Sequence, residues 1–243
     1  MNEVQLLKAI GFPKATQILK TLPYNQMENK LREAQKKIIS EHVVARGIRI
    51  LAVIQTNNTN IESFESETER FDSIVFLAIH VKDLKKSSQI YKVFMSVMLN
   101  PLVILFFNEE QTSWIFSTHA KKKDGYLISE SLYEVQDKVS LQMVEEQLRF
   151  DSLQKTNLKD FYESWLERLL QIELQARYNI YKPVSLQDNL LEKIVGMDAQ
   201  IDDYVKQAKK EAQLNKRVEL QQAANKVKQA KQALIEKEQN NGE

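Results

Sequence analysis

The sequence predicts an α+β fold: a mostly antiparallel sheet of about five strands with flanking helices, then a long C-terminal coiled-coil-like helix. Three observations carry that prediction. Ile48–Ile54, Ile74–Val81 and Leu102–Phe107 are short aliphatic or β-branched runs bounded by turn residues, as strands are. Around them, apolar residues recur at helical spacing. From Met197 to Asn241 the chain has neither Gly nor Pro, and its only aromatic residue is Tyr204.

Composition bounds the rest. The chain has 243 residues, 43% hydrophobic and 28% charged, enough for a core and a solvated surface. A formal net charge of +1 supplies no overall field toward nucleic acid or an anionic membrane. Cysteine is absent, which removes disulfides, thiolate metal sites and cysteine nucleophiles and fits a reducing compartment. Met1–Ile10 has no apolar run of signal-peptide length, and no stretch approaches a membrane span. The reading is a cytoplasmic protein with no membrane partner.

Taken in order, Pro23, Asn25 and Glu28 open a helix with capping-box-like spacing, and Met27, Leu31, Ala34 and Ile38 form its apolar face. That helix ends near His42, with Arg46-Gly47 as the break. After the strand Ile48–Ile54, Asn57-Asn58-Thr59-Asn60 reads as a turn, because Asn tolerates left-handed backbone. Glu62 to Glu69 is an exposed loop or hairpin arm, and Ile74–Val81 is apolar enough to be covered on both faces. Ser87 or Ser88 caps a helix using Ile90, Phe94, Val97 and Met98, stopped by Asn100-Pro101. Trp114 and Phe116 alternate with polar neighbours in Ser113–Thr118, and Asp124-Gly125 turns the chain into Tyr126–Tyr133. Two helices follow, one with Leu141, Val144 and Leu148, the other from about Asn157 with Phe161, Trp165, Leu169 and Ile172 inward.

Tyr181-Lys182-Pro183 is the expected hinge, giving an α+β domain over 1–183 and a helical arm over 184–243. On the arm, Leu190, Ile194, Met197, Ile201 and Tyr204 step by four and three, as do Leu220, Ala223, Val227, Ala230 and Leu234. Between Ala208 and Val218 the spacing slips, with Glu211 and Asn215 where apolar residues belong. Such a slip rewinds a coiled coil or marks where a hairpin folds back. As one rod, roughly 50 residues would reach about 75 Å.

Three segments carry a family resemblance. The first is Thr59-Asn60-Ile61 with the acidic approach into Phe71–Lys82. The second is Val97-Met98-Leu99-Asn100-Pro101-Leu102-Val103-Ile104-Leu105-Phe106. The third is Lys209-Lys210-Glu211-Ala212-Gln213-Leu214-Asn215-Lys216-Arg217-Val218-Glu219-Leu220. Together these segments resemble the bacterial DUF4391 family, although Ala52 and Gln55 stand where that family tends to have a Trp and a Lys. The resemblance implies no catalytic residues. It implies a setting, because relatives are typically encoded beside DNA methyltransferases and helicase-like restriction subunits.

No catalytic motif emerges from the residues themselves. His42, His80 and His119 have no zinc-ligand spacing, and neither a Walker nor a dinucleotide-binding glycine pattern occurs, so no metal or cofactor is expected. Glu41, Asp72 and His80-Val81-Lys82 follow the order of a restriction-endonuclease-like site, but His80 occupies the carboxylate position. Lys85, Lys86, Lys121, Lys122 and Lys123 form basic tips suited to phosphates. The leading expectation is therefore a non-enzymatic interaction protein of a bacterial restriction-modification or antiviral defence assembly. Its helical seam of Ile194, Met197, Ile201, Tyr204, Leu220, Val227 and Leu234 would meet a protein partner or a second copy. Methyltransferase or helicase subunits are the expected class of partner. The alternative is a DNA-binding module, a degenerate nuclease among its forms.

Overall fold

The computed structural model of the chain describes residues 3–121, 127–136 and 139–240. It divides into two compact units, 1–169 and 170–243. In the first, helix α1 (Glu3–Ile10) leads through a single turn to strand β1 (Gln17–Thr21). The short α2 (Asn25–Glu28) and α3 (Glu33–His42) precede β2 (Val43–Gln55), and α4 (Thr56–Thr59) is one turn. A small hairpin of β3 (Phe64–Glu65) and β4 (Arg70–Phe71) comes next. Then follow β5 (Ser73–Val81), α5 (Ser87–Met95), β6 (Leu102–Phe107), β7 (Thr112–Lys121) and β8 (Leu127–Gln136). Helices α6 (Leu141–Gln147) and α7 (Leu158–Tyr178) come after the sheet, and the division between units falls inside α7.

Six strands make one sheet in the order β1-β2-β5-β6-β7-β8. Every neighbouring pair is antiparallel except β5 and β6, which run parallel and are joined by α5. A parallel pair needs such a crossover, and Asn100-Pro101 supplies the stop before β6 begins. The α+β reading, mostly antiparallel with flanking helices, describes this sheet.

Alternation along the strands divides the core into two layers. Val75, Leu77, Ile79 and Val81 of β5 join Ile104 and Phe106 of β6, Ile39 of α3, and Ile90 and Phe94 of α5 in one cluster. On the other face, Phe76 of β5 meets Trp165 of α7 edge-on, with centroids 5.0 Å apart, and Phe12 stacks on the same indole at 5.7 Å. Trp114 of β7 closes this aromatic group at 6.3 Å from Trp165. Trp114 and Phe116 are thus core, as their alternation in the sequence predicts.

The structure corrects several boundaries. The single helix expected from Asn25 to His42 is two, because Arg32 turns to extended backbone and its N–H donates to Gln35 Oε1 at 2.9 Å, starting α3 afresh. Val97 and Met98 lie past the end of α5, in the turn before Pro101. Neither serine caps α5: Ser87 is buried inside it, and the turn before it is capped by Asp83, which accepts from the Lys85 N–H at 2.9 Å. Asn157 does start α7, its Oδ1 accepting from the Asp160 N–H at 2.9 Å. The Asp124-Gly125 turn lies outside the described residues.

In the second unit the tail is a pair of helices, α8 (Leu190–Lys210) and α9 (Leu214–Asn240), reversed at Glu211–Gln213. The slip in apolar spacing marks that reversal. Instead of one 75 Å rod there are two antiparallel helices of about 32 and 40 Å. Lys231 of α9 reaches Asp198 of α8 at 2.6 Å, which sets the level at which they pair. The far end of α9 is tied to the segment before α8, through a Glu238–Lys182 ion pair and through Gln239 Nε2 donating to the Tyr178 carbonyl at 2.6 Å.

Candidate functional site

β5 and β6 end on the same side of the sheet, where His80 pairs in register with Phe107 and their rings stack at 4.9 Å. Such carboxyl ends are where open sheets leave a crevice. A large β-bulge on the neighbouring strand deepens it. Val43 of β2 pairs with Val81, but the next register pair is Ile48 with Ile79. Residues 44–47 stand against His80 alone, so three of the four are extra, and they bend β2. Arg46 within the bulge holds φ at 58°, a left-handed conformation rare for a long side chain.

Gly47 beside it has no room for more than hydrogen. A Cβ there would lie 2.7 Å from the Val44 carbonyl oxygen and 3.0 Å from both Cβ and the carbonyl oxygen of His80. Backbone cannot step aside as a flexible side chain can. Gly47→Ala should therefore cost about 1–3 kcal/mol by overpacking, read as a lower urea midpoint. An unchanged midpoint would mean the bulge yields freely.

The bulge walls a cavity of about 880 Å³, lined by Leu22, Pro23, Ile39, Val43, Val44 and Ile48 and by the charged Arg46 and Lys82. Lys82 Nζ donates to the Glu41 carbonyl at 2.8 Å. A polar cleft of about 510 Å³ shares Val44 and Lys82 with it and adds His80, Asn108, Glu109 and Glu110. The Asn108 side chain shapes that loop by accepting from the N–H groups of Glu110 at 2.9 Å and Gln111 at 2.7 Å.

Among the seam residues of the second unit, Ile194 is fully buried, whereas Met197, Ile201, Tyr204, Leu220, Val227 and Leu234 are half-buried. Ala208, Ala224 and Ile235 are buried beside them, and the small alanines suit close approach of two helices. Val195, Val205, Leu214 and Val218 remain exposed on the same helices.

The family model of a domain of unknown function, DUF4391, matches residues 10–231. The chain belongs to the DUF4391 family. No curated protein and no solved structure matches it. Of the DUF4391-like segments, Thr59-Asn60-Ile61 is the end of α4, where Asn60 takes φ 59°. Val97–Phe106 carries the chain from the end of α5 through nearly all of β6, and Lys209–Leu220 spans the reversal between α8 and α9.

The remaining sequence candidates are dispersed. Lys121 is bound to Glu65 at 2.5 Å, and that hydrogen bond, with the Lys121 charge, holds the Glu65 carboxyl below its ordinary range. Lys85 and Lys86 are exposed at the start of α5, and Lys122 and Lys123 lie outside the described residues. Asp72 and Lys82 flank β5 at opposite ends, about 30 Å apart along a nine-residue strand, so they cannot share one ion. Asp72 accepts instead from Arg70 at 2.6 Å. Among the described residues no three His, Asp or Glu side chains converge as a metal site. Nor is any described helix long and apolar enough to cross a membrane.

His119 is 5% exposed, and burial pushes its imidazole pKa down to about 3. Its Nε2 meets the Ser117 hydroxyl at 3.1 Å. The Tyr91 hydroxyl meets the same oxygen at 3.0 Å, and the Tyr162 hydroxyl donates to the Ser117 carbonyl at 2.8 Å. Burial raises both phenols, so all three groups are neutral around pH 7. This network ties α5 and α7 to β7, a structural task.

Sequence reasoning missed the cavity. Its signal was Gly47: a glycine within a strand pattern marks a bulge or a close backbone approach.

Proposed function

We propose that this DUF4391 member is a non-enzymatic accessory protein of the bacterial cytoplasm that docks a protein partner on its α8–α9 pair, within a restriction-modification or antiviral defence assembly. The observation that carries the reading is the aliphatic surface of the pair. Val195, Val205, Leu214 and Val218 stay exposed after the helices have packed together. Leu214 and Val218 are one turn apart and share a face of α9, and exposed apolar faces of this kind mark interaction surfaces. Leu214 and Val218 fall in Lys209–Leu220, the segment most like the family.

The defence setting rests on the gene neighbourhoods that the resemblance implies, so methyltransferase and helicase-like subunits are the partners to test. Tagged full-length chain should co-purify with such a subunit encoded beside it. Val205→Glu with Val218→Glu should weaken capture about tenfold or more, because charge at a dry contact is costly. Both positions are exposed, so circular dichroism should be unchanged. Capture that survives the double substitution, or wild-type chain that captures neither class of subunit, would defeat the proposal.

A further inference from the structure

We propose that the cavity at the β2 bulge is a binding site for a small organic anion, its apolar body inside and its charged head held by Arg46 and Lys82. The volume, about 880 Å³, is at the upper end of the ~300–1,000 Å³ usual for ligand sites. Its walls come from the end of β1, from α3 and from the bulge, and are mainly aliphatic. The apolar lining gathers from these separate segments around one space open to solvent, a form suited to a small molecule with an apolar body.

The charges select an anion. The ionisable groups lining the cavity are Arg46, Lys82 and Tyr24, and no carboxylate is among the lining residues. Burial and the neighbouring Glu28 raise the Tyr24 pKa, keeping the phenol a neutral donor. Arg46 makes no ion pair among the described residues, and Lys82 uses one N–H on the Glu41 carbonyl, with further N–H groups to offer. Glu109 and Glu110 lie across Lys82 in the adjoining cleft and would repel an anion from that side. The head is thereby confined to the Arg46 side of Lys82. Arg46 itself sits in a backbone conformation that disfavours it, the pattern of a residue kept for its side chain and not for stability.

Octanoate and octan-1-ol separate the two halves of this proposal. Both have the same apolar chain, and only one has the anionic head. In isothermal titration calorimetry of the full chain, octanoate should bind about tenfold or more tightly than the alcohol, the effect of one charge-assisted contact. Arg46→Asn removes the guanidinium and suits the left-handed backbone. It should weaken octanoate binding several-fold, toward the level of the alcohol, while leaving the urea midpoint at or above that of wild type. Absence of octanoate binding, equal affinity for acid and alcohol, or undiminished binding by R46N would each overturn the assignment. The acid–alcohol comparison needs no variant, so it decides the question whatever R46N does to folding.

Discussion

Trp165→Ala is expected to destabilise the chain by about 3–5 kcal/mol, the range for deleting a large aromatic side chain from a packed core. Trp165 is fully buried and is the common neighbour of Phe12, Phe76 and Trp114. Those partners come from the segment after α1, from β5 and from β7, so none can fill the space without moving an element. Trp165→Phe should cost far less. It keeps a ring for Phe76 and removes an indole N–H that finds no hydrogen-bond partner among the described residues. Equilibrium urea unfolding of both variants decides the matter. A loss below about 1 kcal/mol for the alanine variant would show that this cluster does not organise the core.

That cluster also explains why much of the fold was legible. Ile74–Val81 and Leu102–Phe107 are covered on both faces, and such strands read as continuous apolar runs whatever covers them. Phe161, Trp165 and Leu169 keep a strict helical spacing because a flat sheet face demands it. Illegible elements lack such a pattern. Strand β1 has a register shift between Gln17 and Lys20 and a left-handed Leu19, which spoils its alternation, and α1 was not foreseen.

Much the same holds for the candidate sites. The α8–α9 seam could be read because its period is local, and the break in that period located the reversal at Glu211–Gln213. The cavity could not be read. Its lining gathers residues 21–25, 39–40, 43–46, Ile48 and Lys82, and it depends on how many residues of β2 are left unpaired against β5. Arg46-Gly47 looked like a break because bulge and break use the same residues. Only the strand partner distinguishes them, and the partner lies more than thirty positions away.

Acidification should expose the buried His119. Its pKa falls from an ordinary 6.5 to about 3 in the folded chain, and desolvation is the cause. Ser117, Tyr91 and Tyr162 surround it without a carboxylate that could reward protonation. Between those two values the unfolded chain binds a proton that the folded chain refuses. Stability therefore rises with pH across that window, is complete above the unfolded value, and is lost as pH falls through it. From pH 7.5 to pH 5 the expected loss is about 2 kcal/mol, because each pH step of one below the unfolded value removes about 1.4 kcal/mol. That window lies above most carboxylate titration, which isolates the imidazole. His119→Gln retains a polar group toward Ser117 but cannot titrate, so its stability should be nearly flat over the same interval even if lower throughout. Urea unfolding of both proteins at the two pH values supplies the difference. A wild-type midpoint that does not move, or a glutamine variant that keeps the full slope, would place the pH dependence on other groups and leave His119 a spectator.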